Sequence, residues 1–164
     1  MTGGKTRHQH LLKFMEPTDQ NIKIRSACPD DAPTLAALLA ELGFPASVPV
    51  ITKRLQGMLD ASELVLVAVQ DAEVLGLLTV HISPMLHRPT PVGRFTALVV
   101  AERARGQGVG SALVRAAERE LAMRGCALVE VTSNFRLTGA HLFYEHLGYE
   151  ATSLRFKKSL SPHD

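Results

Sequence analysis

The sequence predicts a mixed α/β domain, with a largely antiparallel sheet and helices on both of its faces. Three observations carry that prediction. Two apolar runs, Leu64–Val69 and Val74–Ile82, are separated only by the polar turn Gln70-Asp71-Ala72-Glu73, which is the pattern of an antiparallel hairpin of buried strands. Two helical stripes come before that hairpin. A single strand–glycine loop–helix–strand unit comes after it, so one late β-α-β unit is joined to an antiparallel first half.

Taken in order, residues 1–20 are polar and basic and end in Pro17-Thr18-Asp19. They read as a flexible arm, with one short turn at Leu11–Met15, ahead of a single domain over residues 21–160. Ile22–Arg25 alternates apolar and polar residues and predicts a first strand. Pro29-Asp30-Asp31 supplies helix-start chemistry before the stripe Leu35, Leu38, Leu39, Leu42, and Gly43 ends that helix. Ile51, Leu55, Met58 and Leu59 mark a second helix. After the hairpin, Ser83–Pro91 reads as a loop because it holds three prolines, and Gly93–Val100 reads as a strand. A helix from Ser111 to Arg124 has Leu113, Ala116, Ala117 and Leu121 on one face. Ala127–Thr132 is then a strand, Thr138–Leu147 a helix stopped by Gly148, and Arg155–Lys158 a last strand.

Composition narrows the function classes. The formal net charge of the 164 residues is only +2, with both signs interspersed, which gives no ground for a nucleic-acid or membrane partner. No apolar run approaches a membrane span, and residues 1–20 lack the apolar core of a secretory signal. Cys28 and Cys126 are isolated, so neither a zinc site nor a disulfide framework is expected. A reducing cytoplasmic compartment is the expectation.

Arg105-Gly106-Gln107-Gly108-Val109-Gly110 stands between a predicted strand and a predicted helix. Glycines let backbone N–H groups approach an anion, and the helix start adds a partial positive charge. Arg105 offers a permanently charged fork of donors. A Walker loop is excluded, because no Gly-Lys-Ser/Thr follows. A dinucleotide fingerprint fits Gly106 and Gly108, with Glu130 near the spacing of a ribose-binding acid, but Ser111 occupies its third glycine position. A plain glycine-rich turn and a coenzyme A pyrophosphate site are the other readings.

At this point the sequence resembles the GNAT superfamily of acyl-CoA N-acyltransferases. The signature Gln/Arg-x-x-Gly-x-Gly/Ala is met by Arg105, Gly108 and Gly110. Leu98-Val99-Val100 before it, Ser133-Asn134, Ala140-His141-Leu142-Phe143-Tyr144 and Leu147-Gly148-Tyr149 after it also match, over roughly residues 21–158. The segment Glu130–Leu160 is most similar to aminoalkylphosphonate and related small-amine N-acetyltransferases. That subfamily's pattern has acidic residues on the strand before the glycine loop, where this chain reads Gly93-Arg94-Phe95-Thr96-Ala97.

The resemblance implies a GNAT-like fold, acetyl-CoA as co-substrate without a metal, and a small primary amine as acceptor. Backbone groups of Leu98, Val99 and Val100 would pair with the pantetheine arm. Arg105, Gly106, Gln107, Gly108, Val109, Gly110 and Ser111 would hold the pyrophosphate, and Asn134 and Tyr144 would reach the arm and its sulfur. Amine acetylation needs a proton acceptor for the ammonium and a donor for the departing thiolate. The resemblance makes Tyr144 the acid, and a phenol is protonated at neutral pH. Glu130 and His81 are the candidates for base, beside a water relay. Each has a plain structural reading: a core tyrosine, a solvent-facing strand glutamate and a hydrogen-bonded strand histidine. Asn134 has one too, as a turn residue.

His87, His141 and His146 do not have the spacing of a metal site. Arg94 and His87-Arg88 lie toward the acceptor side and would suit an acidic acceptor, although a solvated loop explains them better. Alternatives to a small-amine enzyme are a protein N-terminal or lysine acetyltransferase and a non-catalytic acyl-CoA-binding module. A homodimer is expected if a C-terminal edge strand needs a partner.

Overall fold

The apolar runs form the hairpin that the sequence predicts, and the rest of the sheet is assembled around it. In the computed structural model, residues 21–160 are described; the expected N-terminal arm lies outside them. The elements are β1 (Lys23–Ser26), α1 (Ala32–Glu41), α2 (Val48–Asp60), β2 (Leu64–Gln70), β3 (Glu73–Ser83), β4 (Val92–Val100), α3 (Val109–Met123), β5 (Leu128–Val131) and α4 (Thr138–His146). Strands β1 to β5 lie side by side in chain order in one five-stranded sheet. The first four pair antiparallel, and β5 joins β4 in parallel through the α3 crossover.

The two faces of the sheet are distinguished by register. Gly76 and Gly93 lie under α3: a Cβ on Gly93 would fall 2.5 Å from Leu121 Cδ1, and one on Gly76 would fall 3.0 Å from Leu113 Cδ1. Side chains here would force the helix off the sheet, so both positions take glycine for close approach. Val80 and Phe95, paired across β3 and β4, share this face with Leu113, Val114, Ala117 and Leu121, all buried. On the opposite face α1 contacts β3 and β4, and α2 contacts β2, burying Leu35, Leu38, Ile51 and Leu55. Each such leucine or isoleucine stabilises the fold by about 1.5–3 kcal/mol.

The start of α1 is held by a partly buried ion pair. Asp31 is only 6% exposed. Its carboxylate accepts hydrogen bonds from Arg25 Nη1 and Nη2 at 2.7 and 2.8 Å and from the Cys28 N–H at 2.8 Å. The Arg25 hydrogen bonds hold the carboxyl below its ordinary range against the opposing effect of burial, and Asp31 in turn raises Arg25. A carboxyl depressed in the folded state stabilises the fold above its unfolded pKa of about 3.9 and loses that contribution as pH falls through the folded value. Asp31→Asn is therefore expected to cost about 2 kcal/mol at neutral pH. Urea unfolding should show the gap from wild type closing in acid below about pH 4.

Two expectations change. Helix α3 begins at Val109 rather than Ser111, because Gly108 takes a left-handed φ of 81° and turns the chain into the helix earlier. The strand expected over Arg155–Lys158 is not formed: residues 149–160 have no regular structure, and residues 151–160 are exposed. Leu154 and Phe156 alternate as a strand would, but both are over four-fifths exposed. An extended segment with no burial for its side chains gains little from strand geometry.

Candidate active site

The site is built on the place where β4 and β5 separate. The two strands pair from Val92↔Leu128 to Phe95↔Val131 and no further, while β4 runs on to Val100 beside β3. Thr96 is an extra residue at this point: Val80 pairs with Phe95, and Thr79 pairs with Ala97. Such a bulge bends a strand and ends pairing on its other side. The hydroxyls of Thr79 and Thr96 lie 2.6 Å apart, and Thr96 Oγ1 also donates to the Thr79 carbonyl at 3.2 Å, which pins the bulge. Beyond it, alternate backbone groups of Ala97–Val100 point away from β3 into the gap. Leu98, Val99 and Val100 lie on this stretch. Ser133, just past β5, has a buried Oγ without a hydrogen-bond partner.

The glycine loop closes one end of this gap. Gly106 and Gly108 have φ of 73° and 81°, and a Cβ at either would meet nothing within 4 Å, so the loop presents bare backbone to open space. The first intrahelical bond runs from Ala112 N to Gly108 O, leaving the N–H groups of Val109, Gly110 and Ser111 at the free start of α3. Together they form a concave set of donors suited to an anion. Arg105 is less available than the sequence suggests. Its Nε donates to the Val100 carbonyl at 3.2 Å, and its Nη2 lies 3.7 Å from Glu41 Oε2. Gln107 Nε2 donates to the Arg103 carbonyl at 3.0 Å.

Tyr144 comes to the site on α4. Gly148, at φ 90°, ends that helix with a left-handed turn, and Tyr149 N then donates to Tyr144 O at 3.0 Å. The turn folds Tyr149 back under Tyr144, with ring centroids 5.5 Å apart, and Phe143 meets Tyr144 edge-on at 5.1 Å. Tyr149 also reaches Phe95 at 6.2 Å and donates its hydroxyl to Glu118 Oε1 at 2.8 Å. Burial pushes the Tyr144 phenol up to about 12. Burial, reinforced by Glu118, pushes Tyr149 up as well. The Tyr144 aromatic cluster therefore lies on the α3 side of β4.

His81 and Glu130 lie on the other side. His81 pairs with Arg94, and Arg94 pairs with Glu130, so all three project from the face away from α3. Arg94 Nη2 donates to Glu130 Oε2 at 2.8 Å, so the Glu130 carboxylate is already occupied. His81 Nδ1 lies 2.6 Å from Glu63 Oε1. Asn134 behaves as a turn residue: its Oδ1 accepts from Arg136 N at 3.0 Å, and its carbonyl lies 2.9 Å from His141 Nε2.

A family description, the acetyltransferase (GNAT) domain, matches residues 61–151, the span that contains the gap, the glycine loop and Tyr144. The chain is also 31% identical over 162 residues to the aminoalkylphosphonate N-acetyltransferase of Salmonella typhimurium, covering 92% of this chain and 99% of that protein. This chain belongs to the GNAT acetyltransferase family.

As a GNAT enzyme it is an acetyl-CoA-dependent N-acetyltransferase. Solved structures agree on the fold. A transcriptional regulator from Bacillus halodurans is 26% identical with a TM-score of 0.78, over 85% of this chain and 99% of that one. The glucosamine-6-phosphate N-acetyltransferase of Arabidopsis thaliana is 19% identical with a TM-score of 0.74, over 85% and 99%.

In this candidate site, Glu118 and Glu63 are neighbours that the sequence did not single out, while Ser133 and Tyr149 stood out only as parts of matching segments without a role. Among the described residues, no group of three His, Cys, Asp or Glu side chains is arranged to hold a metal ion, and no helix is long and apolar enough to cross a membrane.

Proposed function

We propose that the enzyme transfers acetyl from acetyl-CoA directly to a primary amine of a small molecule, within a ternary complex at the gap between β4 and β5. The observation that carries this reading is that gap, opening at the Thr96 bulge between the glycine loop and the half-buried Tyr144. The backbone of Leu98, Val99 and Val100 would pair with the pantetheine arm as an added strand does, and the unpartnered Ser133 Oγ and the free Asn134 amide would face it. N–H groups from Gly106, Gln107, Gly108, Val109, Gly110 and Ser111 would cradle the pyrophosphate. Arg105 would join them by releasing the Val100 carbonyl.

The two proton tasks fall on opposite sides of β4. The side bearing His81, Arg94 and Glu130 would receive the amine and accept its proton. The C–N bond forms at the thioester carbonyl carbon as the C–S bond breaks. A backbone N–H of β4 would steady the carbonyl oxygen as it gains charge. Tyr144 would donate to sulfur from the α3 side; burial keeps it protonated throughout the neutral range, so the donor is always in place.

The Salmonella relative acts, by its name, on aminoalkylphosphonates, which supports a small amine here. Two free thiols, Cys28 and Cys126, support a cytoplasmic setting. The outer edge of β5, without a strand neighbour among the described residues, supports a homodimer.

The test is to incubate the enzyme with acetyl-CoA and a panel of aminoalkylphosphonates, amino acids, polyamines, aminoglycosides and short peptides. Mass spectrometry then identifies which gain an acetyl group. Acetylation of a small primary amine is the expected result. Acetylation confined to peptides would overturn the small-molecule reading, and none at all, with coenzyme binding intact, would point to a binding module.

A further inference from the structure

The face of the sheet away from α3 carries a row of charged side chains that crosses three strands and ends at Glu63, the residue before β2. Leu64 pairs with Val80, so the next position out, Glu63, stands directly across from His81. His81 in turn stands across from Arg94, and Arg94 from Glu130. The row reads Glu63, His81, Arg94, Glu130, two residue positions along β3 from the Thr79–Thr96 contact that pins the bulge. Resting on the acetyl-transfer reading above, we propose that His81 is the base that takes the proton of the acceptor amine, and that Glu63 is the positioning residue that orients it.

The chemistry of the pair dictates the tautomer. A carboxylate only accepts hydrogen bonds, so at 2.6 Å from Glu63 Oε1 the His81 Nδ1 must be the donor. With the proton on Nδ1, the neutral ring keeps its lone pair on Nε2, the form a base requires. Glu63 is well placed to enforce this. It is the less exposed partner, at 22% against 53% for His81. Its backbone is fixed by the turn that ends α2: Glu63 N donates to Met58 O at 2.9 Å, and Ser62 N donates to Leu59 O at 3.0 Å, with Ser62 in the left-handed region at φ 58°.

Position along the strand supports the role. Thr79 and His81 are two residues apart on β3 and so share a face. Thr79 bonds Thr96 at the bulge where the gap opens, which puts the imidazole one step along the strand from the proposed site of attack. The β4 positions at the bulge, Thr96 and Ala97, offer no group that titrates near neutrality. Glu130 is paired to Arg94, which leaves His81 as the member of the row with an unengaged ring nitrogen. The charged groups facing His81 are Glu63 from the α2–β2 turn and Arg94 from β4, the latter already paired with Glu130 of β5.

The test combines kinetics and spectroscopy on the full chain, using an amine that the wild type turns over. At saturating amine and acetyl-CoA, His81→Ala should lower kcat by about a hundredfold and Glu63→Gln by about tenfold, with little change in KM for acetyl-CoA. In Glu63→Gln, whose side-chain amide can donate as well as accept, nitrogen-15 NMR should show His81 divided between its two tautomers. A purely structural role of Glu63 would leave the tautomer unchanged. Nitrogen-15 NMR of wild-type His81 should show the neutral ring protonated on Nδ1. A wild-type ring protonated on Nε2, or a kcat within twofold of wild type in both variants, would overturn the dyad. So would a loss of rate in Glu63→Gln with the wild-type tautomer retained. Absence of wild-type turnover on any amine would overturn the acetyl-transfer reading, and the dyad with it.

Discussion

Replacing Tyr144 with phenylalanine is expected to lower kcat about a hundredfold, the scale of losing a positioned general acid, while KM for acetyl-CoA stays close to wild type. The substitution removes one oxygen and leaves the ring. That ring holds the edge-on contacts with Phe143 and Tyr149, so packing and stability should barely change. No side-chain partner engages the Tyr144 hydroxyl among the described residues, so its removal strands no donor or acceptor within the protein. Burial pushes the phenol up to about 12, and the rate lost should therefore be flat across the neutral range. Steady-state kinetics with thermal unfolding as a control checks this. A large loss of stability, or unchanged kcat, would mean that Tyr144 is a packing residue.

The second large effect is expected at the glycine loop. Replacing both Gly106 and Gly108 with alanine should raise KM for acetyl-CoA about a hundredfold. Their φ values of 73° and 81° cost an alanine about 1–2 kcal/mol each. Nothing in the protein packs against either position, so the variant loop is free to relax away from the strained shape. Coenzyme binding must then restore that shape, and about 3 kcal/mol corresponds to about a hundredfold in affinity. Gly125 is the control, since it has φ of 80° and open space around it at the far end of α3. Gly125→Ala should show the same kind of strain as a lower melting temperature, with KM for acetyl-CoA unchanged.

The fold was legible in the sequence wherever burial was strong. The β2–β3 hairpin and the α3 stripe are written in runs of buried Val and Leu, and the structure has them within a residue or two of the expected ends. What was not legible depends on two bulges. Gln70 pairs with Glu73 and Val69 with Val74, but Ala68 then pairs with Gly76. Counting outward from the turn without that slip places Glu63 beside Val80, and so hides its pairing with His81. The second slip, at Thr96, determines where β4 and β5 part, and no local pattern announces it. The expected strand over Arg155–Lys158 failed for the opposite reason: its alternation is present, but nothing buries it.

For the candidate site, the glycine loop and Tyr144 were readable as candidates because they sit in contiguous motifs. The partners of Glu130 and His81 were not, since Arg94 and Glu63 meet them only across strands. Those partners are what the proposal rests on: Glu130 is tied to a guanidinium, and in the proposed dyad Glu63 holds His81 in the tautomer that a base needs.

The most direct test of the account is thiol release from acetyl-CoA, followed with and without the amine that the panel identifies, across a grid of both concentrations. Direct transfer at the gap between β4 and β5 predicts no thiol release without amine and double-reciprocal lines that intersect. A burst of thiol in the absence of amine, with parallel lines, would mean that the enzyme itself carries the acetyl group, and would contradict the account.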